Sequence, residues 1–188
     1  IYNYVELKDE LRGQGWTFES TSDTEVLLTA YRHWGTDFLP KLNGMFAFVL
    51  YDEVSGMIVA ARDRFGIKPL YYAENRGDVR FVSEIKQLTQ VDAIRREADA
   101  DSVIDFVANR LHDSSARTFF KDVRQLEPGH FLTLNLASGT ISVRKWYDLE
   151  TRVESATVSR PDDFRELFDS AVGLRMRADV EVGSSLSG

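Results

Sequence analysis

The stretch that decides the fold class is NGMFAFVLYDEVSGMIVAARDRFGIKPLYYAENRGDVRFVS, residues 43–83. Four short runs rich in Val, Phe and Tyr are separated by turn residues, a pattern typical of strands joined by turns. The runs cover residues 45–51, 57–61, 70–73 and 79–83. Connections this short favour antiparallel neighbours, because parallel strands need a crossover of a dozen or more residues. We therefore expect an antiparallel meander.

Helical patterns precede these strands. Asn3 with Glu6 three residues later has the spacing of a capping box, and Ser22-Asp23-Thr24-Glu25 repeats that spacing. Apolar residues recur at helical spacing behind each box, which predicts two helices. Between them, Trp16-Thr17-Phe18 predicts a short strand.

The remaining sequence contains both helical and strand patterns of apolar residues. Residues 101–111 and 162–177 have helical spacing, and residues 131–143 predict a hairpin turning at Ser138-Gly139. Residues 148–161 are polar and end at Pro161, so we interpret them as a linker or domain boundary. A closing strand is expected after the last helix. Helices before and between antiparallel strands indicate an α+β domain followed by the first elements of another.

Composition excludes several functions. The chain has 188 residues, a net charge of −7 and no low-complexity tract, which suits a globular protein and not a nucleic-acid binder with a clustered basic stripe. No apolar run approaches the roughly 20 residues of a membrane span. We expect a cytoplasmic protein with neither nucleic-acid nor membrane partners. Its histidines, His33, His112 and His130, lack the spacing of a metal site.

Four internal blocks and the tail carry a resemblance to a known family. The blocks are NGMFAFVLYD (43–52), ARDRFGIKPLYY (61–72), FVSEIKQL (81–88) and QLEPGHFLTL (125–134), and the tail is VGSSLSG (182–188). In this order and spacing they resemble the glutamine-hydrolysing asparagine synthetases. Phosphoribosylpyrophosphate amidotransferases have a similar first domain, but their second domain does not start with this tail.

The resemblance implies an N-terminal-nucleophile hydrolase fold, in which two antiparallel sheets pack between helical layers. Residues 1–147 would form a class II glutamine amidotransferase domain without its first strands, and residues 148–161 a linker. Residues 162–188 would begin the ATP-pyrophosphatase domain with its first helix and strand. Because the family's first strands lie centrally in its sheets, we expect the isolated chain to fold poorly.

In the family, an N-terminal Cys attacks the amide of glutamine, and its α-amine is the base. The released ammonia reaches aspartate that ATP and Mg²⁺ have activated, giving asparagine, AMP and pyrophosphate. This chain contains no cysteine, and the family's oxyanion-binding Asn-Gly-Glu precedes the position that matches Ile1. The 188 residues alone are therefore expected to contain no catalytic residue and to leave glutamine intact.

Two groups of candidate binding residues follow from the resemblance. Asp23 matches the aspartate that receives the α-amino group of glutamine, a role that suits a carboxylate. Leu186, Ser187 and Gly188 match the start of the ATP site, where small residues let backbone N–H groups approach phosphates. The structural alternatives are a helix-dipole partner for Asp23 and an ordinary surface turn for the tail.

Two other functions remain open. β-Lactam synthetases share both domains but lack the cysteine and do not use glutamine. A domain without catalysis could instead be a scaffold or dimerisation module, since a sandwich without its first strands exposes unpaired edges that recruit another chain. The expected partners are accordingly glutamine, aspartate and ATP, with a homodimer as a further expectation.

Overall fold

The chain, as a computed structural model, is described for residues 1–91, 94–112, 115–154, 160–178 and 180–183. It divides into two compact units. The first unit combines residues 1–44 with residues 149–188, and the second comprises residues 45–148.

The elements follow in chain order. The helices are α1 (Tyr4–Gly13), α2 (Asp23–Trp34), a 3-10 helix (Gly35–Lys41), α3 (Lys86–Gln90), α4 (Ala100–Asn109), α5 (Leu149–Glu154) and α6 (Pro161–Arg175). The strands are β1 (Ala47–Asp52), β2 (Met57–Arg62), β3 (Tyr71–Asn75), β4 (Asp78–Val82), β5 (Val123–Gln125), β6 (His130–Asn135) and β7 (Thr140–Lys145). None of the helices within these described ranges is long and apolar enough to cross a membrane.

Two antiparallel sheets make up the second unit. One has the order β1-β2-β6-β7 and the other the order β4-β3-β5. The predicted hairpins are confirmed, but the single meander is wrong, because β1–β2 and β3–β4 lie in different sheets. The β1–β2 hairpin pairs with β6, and the β3–β4 hairpin pairs with β5. Strand β5 has only three residues, which is too short for the sequence pattern to predict it.

The two sheets pack face to face through one apolar core. Its buried members, from β2, β6 and the adjoining loops, are Ala60, Leu70, Leu126, Leu132 and Leu134. Tyr72 of β3 and Phe81 of β4 pack against them from the second sheet. On the other face of that sheet, Ala73 and Val123 pack with Leu88 of α3. The expected pair of packed antiparallel sheets, with a helical layer outside, is confirmed.

The loop between β2 and β3 is held by two buried charged side chains. The Asp63 carboxylate, 1% exposed, accepts the backbone N–H groups of Phe46, Phe65, Ile67 and Lys68 at 3.0–3.2 Å. The Arg62 guanidinium donates to the carbonyls of Gly66, Lys68 and Leu126 and to Gln125 Oε1. Gly66 takes a φ of 64°, which suits glycine. These two charged side chains thus hold the loop in place.

Two predictions about the first 25 residues are wrong. Asn3 does not cap α1 with its side chain, which instead contacts Lys41 O and the Asn43 amide. Residues 16–18 are irregular and not a strand. Trp16 donates its indole N–H to His33 of α2 and lies beneath the Arg32 guanidinium, so side-chain contacts hold it without a strand partner.

The last forty residues differ from expectation in one place. Helix α5 lies inside the predicted linker of residues 148–161, because Leu149–Glu154 has enough helix formers to complete a short helix. Residues 181–183 are irregular, and residues 179 and 184–188 lie outside the described residues, so the closing strand stays a prediction. Helix α6 is confirmed, while Leu186, Ser187 and Gly188 lie outside the described residues. The boundaries of the domains stay a prediction.

Strands β1 and β4 each end their sheet, and a cleft lies between them. Ala47, Phe48 and Val49 of β1 line it together with Phe81 and Val82 of β4. Edge strands of this kind can pair with further strands, as the resemblance implies for the family's first strands, and this suits the expectation that the isolated chain folds poorly. That expectation stays a prediction.

Candidate functional site

Asp23 opens helix α2 at the edge of a cavity. Ser22 is the N-cap, and its Oγ accepts the Thr24 N–H at 3.1 Å, which fixes the direction of the first turn. The Asp23 carboxylate is 44% exposed and binds the terminal ammonium of Ile1 through Oδ2 at 2.7 Å.

The cavity beside Asp23 has a volume of about 920 Å³ and lies entirely within the first unit. Its walls come from three segments: the chain entering α1, the loop before α2, and the residues after α6. The lining residues are Ile1, Tyr2, Tyr4, Val5, Ser20, Thr21, Ser22, Asp23, Arg177 and Ala178. A carboxylate, hydroxyl groups and a guanidinium together suit a small polar ligand.

Glu25 holds the loop that forms one wall. Its carboxylate accepts the backbone N–H groups of Glu19 and Ser20, each at 2.8 Å, and the Ser20 hydroxyl at 2.6 Å. The hydrogen bond from the Ser20 side chain, followed by the two backbone bonds, lowers the pKa of Glu25 from 4.5 to about 2. The predicted second capping box is therefore half right: Ser22 caps α2, but Glu25 binds residues 19–20 and not the Ser22 amide.

Residues 1–3 form the opposing wall and are tied to residues 41–44. The Tyr2 N–H donates to Asn43 O at 2.7 Å, and Asn3 exchanges hydrogen bonds with Lys41 O and the Asn43 amide. A Cβ on Gly44 would lie 3.0 Å from Ile1 Cα and 3.4 Å from Tyr2 N. A side chain at position 44 would therefore press on Ile1 and shift it by a few tenths of an ångström relative to Asp23.

The Asp23 carboxylate can accept hydrogen bonds from a cationic group at the edge of the cavity. The Ser20 hydroxyl, which also lines the cavity, donates to the Glu25 carboxylate. Within the described ranges, no group of three or more His, Asp or Glu side chains could hold a metal ion.

The resemblance predicted Asp23 as a binding residue and did not point to the residues around it. The structure places Asp23 at the cavity, whereas Leu186, Ser187 and Gly188 lie outside the described residues, and the binding roles of all four stay predictions. Gly44 lies in the block 43–52 that carries the resemblance, but nothing in that block indicated its close approach to Ile1. Arg177 left no signal in the sequence, because it reaches the cavity from a segment more than 150 residues away in sequence.

Comparison with known proteins identifies the family to which the chain belongs. The sequence profile of the glutamine amidotransferase domain matches residues 1–147. The chain belongs to the glutamine amidotransferase family. This amidotransferase chain is 36% identical, over 189 residues, to asparagine synthetase [glutamine-hydrolyzing] 1 of Bacillus subtilis. It is 35% identical, over 191 residues, to asparagine synthetase [glutamine-hydrolyzing] 3 of the same organism.

Each alignment covers the whole of this chain but only 29% and 30% of the relative. The amidotransferase chain therefore spans less than a third of the length of these relatives. Among solved structures, it is similar to the glutamine phosphoribosylpyrophosphate amidotransferase of Bacillus subtilis, with a TM-score of 0.56 and 23% identity. That match covers 78% of this chain and 27% of the other, and it supports the fold alone.

Proposed function

We propose that this chain is the glutamine-binding part of a glutamine-hydrolysing asparagine synthetase. In the whole protein, glutamine and water would give glutamate and ammonia. The ammonia would then replace an activating group on aspartate, with ATP as the energy source, to give asparagine, AMP and pyrophosphate. The family match and the two similar synthetases support this proposal.

The observation that carries the proposal is the position of the Asp23 carboxylate, which is 44% exposed at the edge of the cavity. Asp23 would receive the α-ammonium of glutamine there through a charge-assisted hydrogen bond. The alternative, a carboxylate that only complements the positive end of helix α2, would be worth about 0.3–1 kcal/mol.

The nucleotide part of the reaction is assigned to residues after α6. Leu186, Ser187 and Gly188 would begin the ATP site, with Mg²⁺ bound further along the chain. The similarity of the whole chain to the two synthetases, which includes residues 182–188, supports this assignment. A cytoplasmic location and a homodimer remain predictions of the same resemblance.

The experiment is glutamine hydrolysis by the full-length protein and its Asp23→Asn variant. Losing a hydrogen bond to a charged partner costs about 1.5–3 kcal/mol, so KM for glutamine should rise roughly ten- to a hundredfold. Asparagine synthesis from added ammonia should stay unchanged, because it bypasses glutamine. Asp9→Asn is the matched control: Asp9 pairs with Arg12 on the exposed surface of α1 and does not line the cavity.

The outcomes separate the alternatives. A wild-type protein that makes a product with ammonia but never hydrolyses glutamine would support the β-lactam-synthetase-like alternative. A wild-type protein without either activity would favour a scaffold. Normal glutamine KM in Asp23→Asn would overturn the assignment of Asp23 while leaving the synthetase activity in place.

A further inference from the structure

Arg177, two residues after helix α6, makes a forked contact with the start of α1. Its guanidinium donates through Nη1 to Glu6 Oε2 at 2.7 Å and through Nη2 to Glu6 Oε1 at 2.5 Å. Nη1 also donates to the carbonyl oxygen of Tyr2 at 3.1 Å. The guanidinium of Arg175 lies 5.2 Å from the centre of the Tyr2 ring. One short segment therefore contacts the backbone, a carboxylate and a ring at the beginning of α1.

Arg177 is the second of two residues that bind the backbone of Tyr2. Its amide N–H is bound by Asn43 O, and its carbonyl oxygen is bound by Arg177, so both of its peptide groups are fixed. Tyr2 is next to Ile1, which lies beside Asp23 in the cavity wall. If Arg177 were lost, one of the two peptide anchors of this wall would be lost with it.

The geometry distinguishes this pair from an ordinary surface ion pair. The Arg177 and Glu6 side chains are 36% and 54% exposed, and an isolated pair at such exposure contributes little to stability. Here, however, the fork is bidentate and is shared with a backbone carbonyl, which adds directional restraint. Hydrogen bonding to Arg177 lowers the pKa of Glu6, so its carboxylate is charged at neutral pH.

We propose that Arg177 is a positioning residue of the glutamine site, which fixes the Ile1–Tyr2 wall opposite the loop of Asp23. The proposal rests on the proposed function, because it concerns the binding of glutamine. Its basis is that Arg177 binds the Tyr2 carbonyl and the Glu6 carboxylate at the start of α1 while itself lining the cavity.

The test uses the full-length enzyme with Arg177→Gln, Glu6→Gln and the double variant. Arg177→Gln loses both the charge-assisted fork and the hydrogen bond to Tyr2 O, and KM for glutamine should rise about tenfold with little change in kcat. The double variant should be no worse than Arg177→Gln, because that change already removes the interaction with Glu6. Asparagine synthesis from ammonia should be unaffected.

Glu10→Gln provides the matched control. Glu10 lies on α1 and pairs with Lys41 at 2.8 Å at similar exposure, but it does not line the cavity. The glutamine KM of this variant should equal that of the wild type. Hydrogen exchange of the amides at residues 2–7 gives a second readout, since the proposal expects faster exchange in Arg177→Gln and not in Glu10→Gln.

Several results would overturn the proposal. An unchanged glutamine KM in Arg177→Gln would do so, as would additive effects of the two single variants. A parallel loss of glutamine-dependent and ammonia-dependent synthesis would show a general structural role. A wild type that does not hydrolyse glutamine would overturn the proposed function itself, whereas a normal glutaminase insensitive to Arg177→Gln would overturn only the present proposal.

Discussion

Replacing Asp63 by Asn should release the loop between β2 and β3. Asp63 Oδ1 accepts the N–H groups of Phe65 and Ile67, and Oδ2 accepts those of Phe46 and Lys68. An Asn has one carbonyl oxygen, so it retains two of these bonds and turns an NH₂ group toward the other two donors. Each bond to a charged group contributes about 1.5–3 kcal/mol, so losing two should cost about 3–6 kcal/mol.

This cost is large beside the 5–15 kcal/mol that typically stabilises a domain. Hydrogen exchange of the amides at residues 46, 65, 67 and 68 in the full-length protein measures this loss of free energy, because these four amides donate to Asp63. A loss of about 3 kcal/mol should lower their protection roughly a hundredfold. Urea unfolding, followed by circular dichroism, should show a matching fall in the midpoint.

Asp52→Asn is the control for this experiment. Asp52 also accepts two backbone N–H groups, those of Val54 and Ser55, but in an exposed turn between β1 and β2. Water can replace those bonds, so the effect should stay within about 0.5 kcal/mol. If the four amides near Asp63 exchanged in Asp63→Asn as slowly as in the wild type, the buried carboxylate would not be what holds this loop.

Two further changes test the walls of the cavity. Glu25 has a pKa lowered to about 2 by Ser20 and the neighbouring amides, so it stabilises the fold above pH 4.5, and this contribution disappears as the pH falls toward about 2. In Glu25→Gln, the urea unfolding midpoint should therefore depend less on pH between pH 4.5 and about 2 than it does in the wild type. If the midpoint of the variant fell as steeply with acid as that of the wild type, Glu25 would not be the group responsible. Gly44→Ala adds a Cβ 3.0 Å from Ile1 Cα and should raise KM for glutamine, as measured in the full-length enzyme. Gly13→Ala, where no atom lies within 4 Å of the new Cβ, should leave KM unchanged, and equal effects of the two alanines would refute the steric argument.

The sequence predicted local features well, because hydrophobic period and turn chemistry act over a few residues. The β1–β2 and β6–β7 hairpins follow from alternating apolar residues on either side of short turns. Which hairpin joins which sheet depends on long-range pairing, and nothing in residues 45–83 shows that β2 will lie beside β6. The expected meander was wrong for that reason.

The candidate site shows the same difference between features set by nearby residues and features set by long-range contacts. Asp23 became a candidate only because the surrounding sequence blocks match a family, since its residue type and its place at the start of a helix are equally explained by the helix dipole. Asn3 has the spacing of a cap as well, yet its side chain binds residues 41 and 43, since a tertiary partner outcompeted the local one. Arg177 could not be found, because an ion pair across 171 residues depends on the fold being complete.

The first unit is built from both ends of the chain, and this has a consequence for the newly made protein. Residues 1–44 leave the ribosome well before residue 177, which completes their cavity. At roughly 5–20 residues per second, translation separates the two by roughly seven to thirty seconds. During that interval the nascent polypeptide has Asp23 but not the wall that Arg177 supports. The cavity is therefore complete only after translation has passed α6.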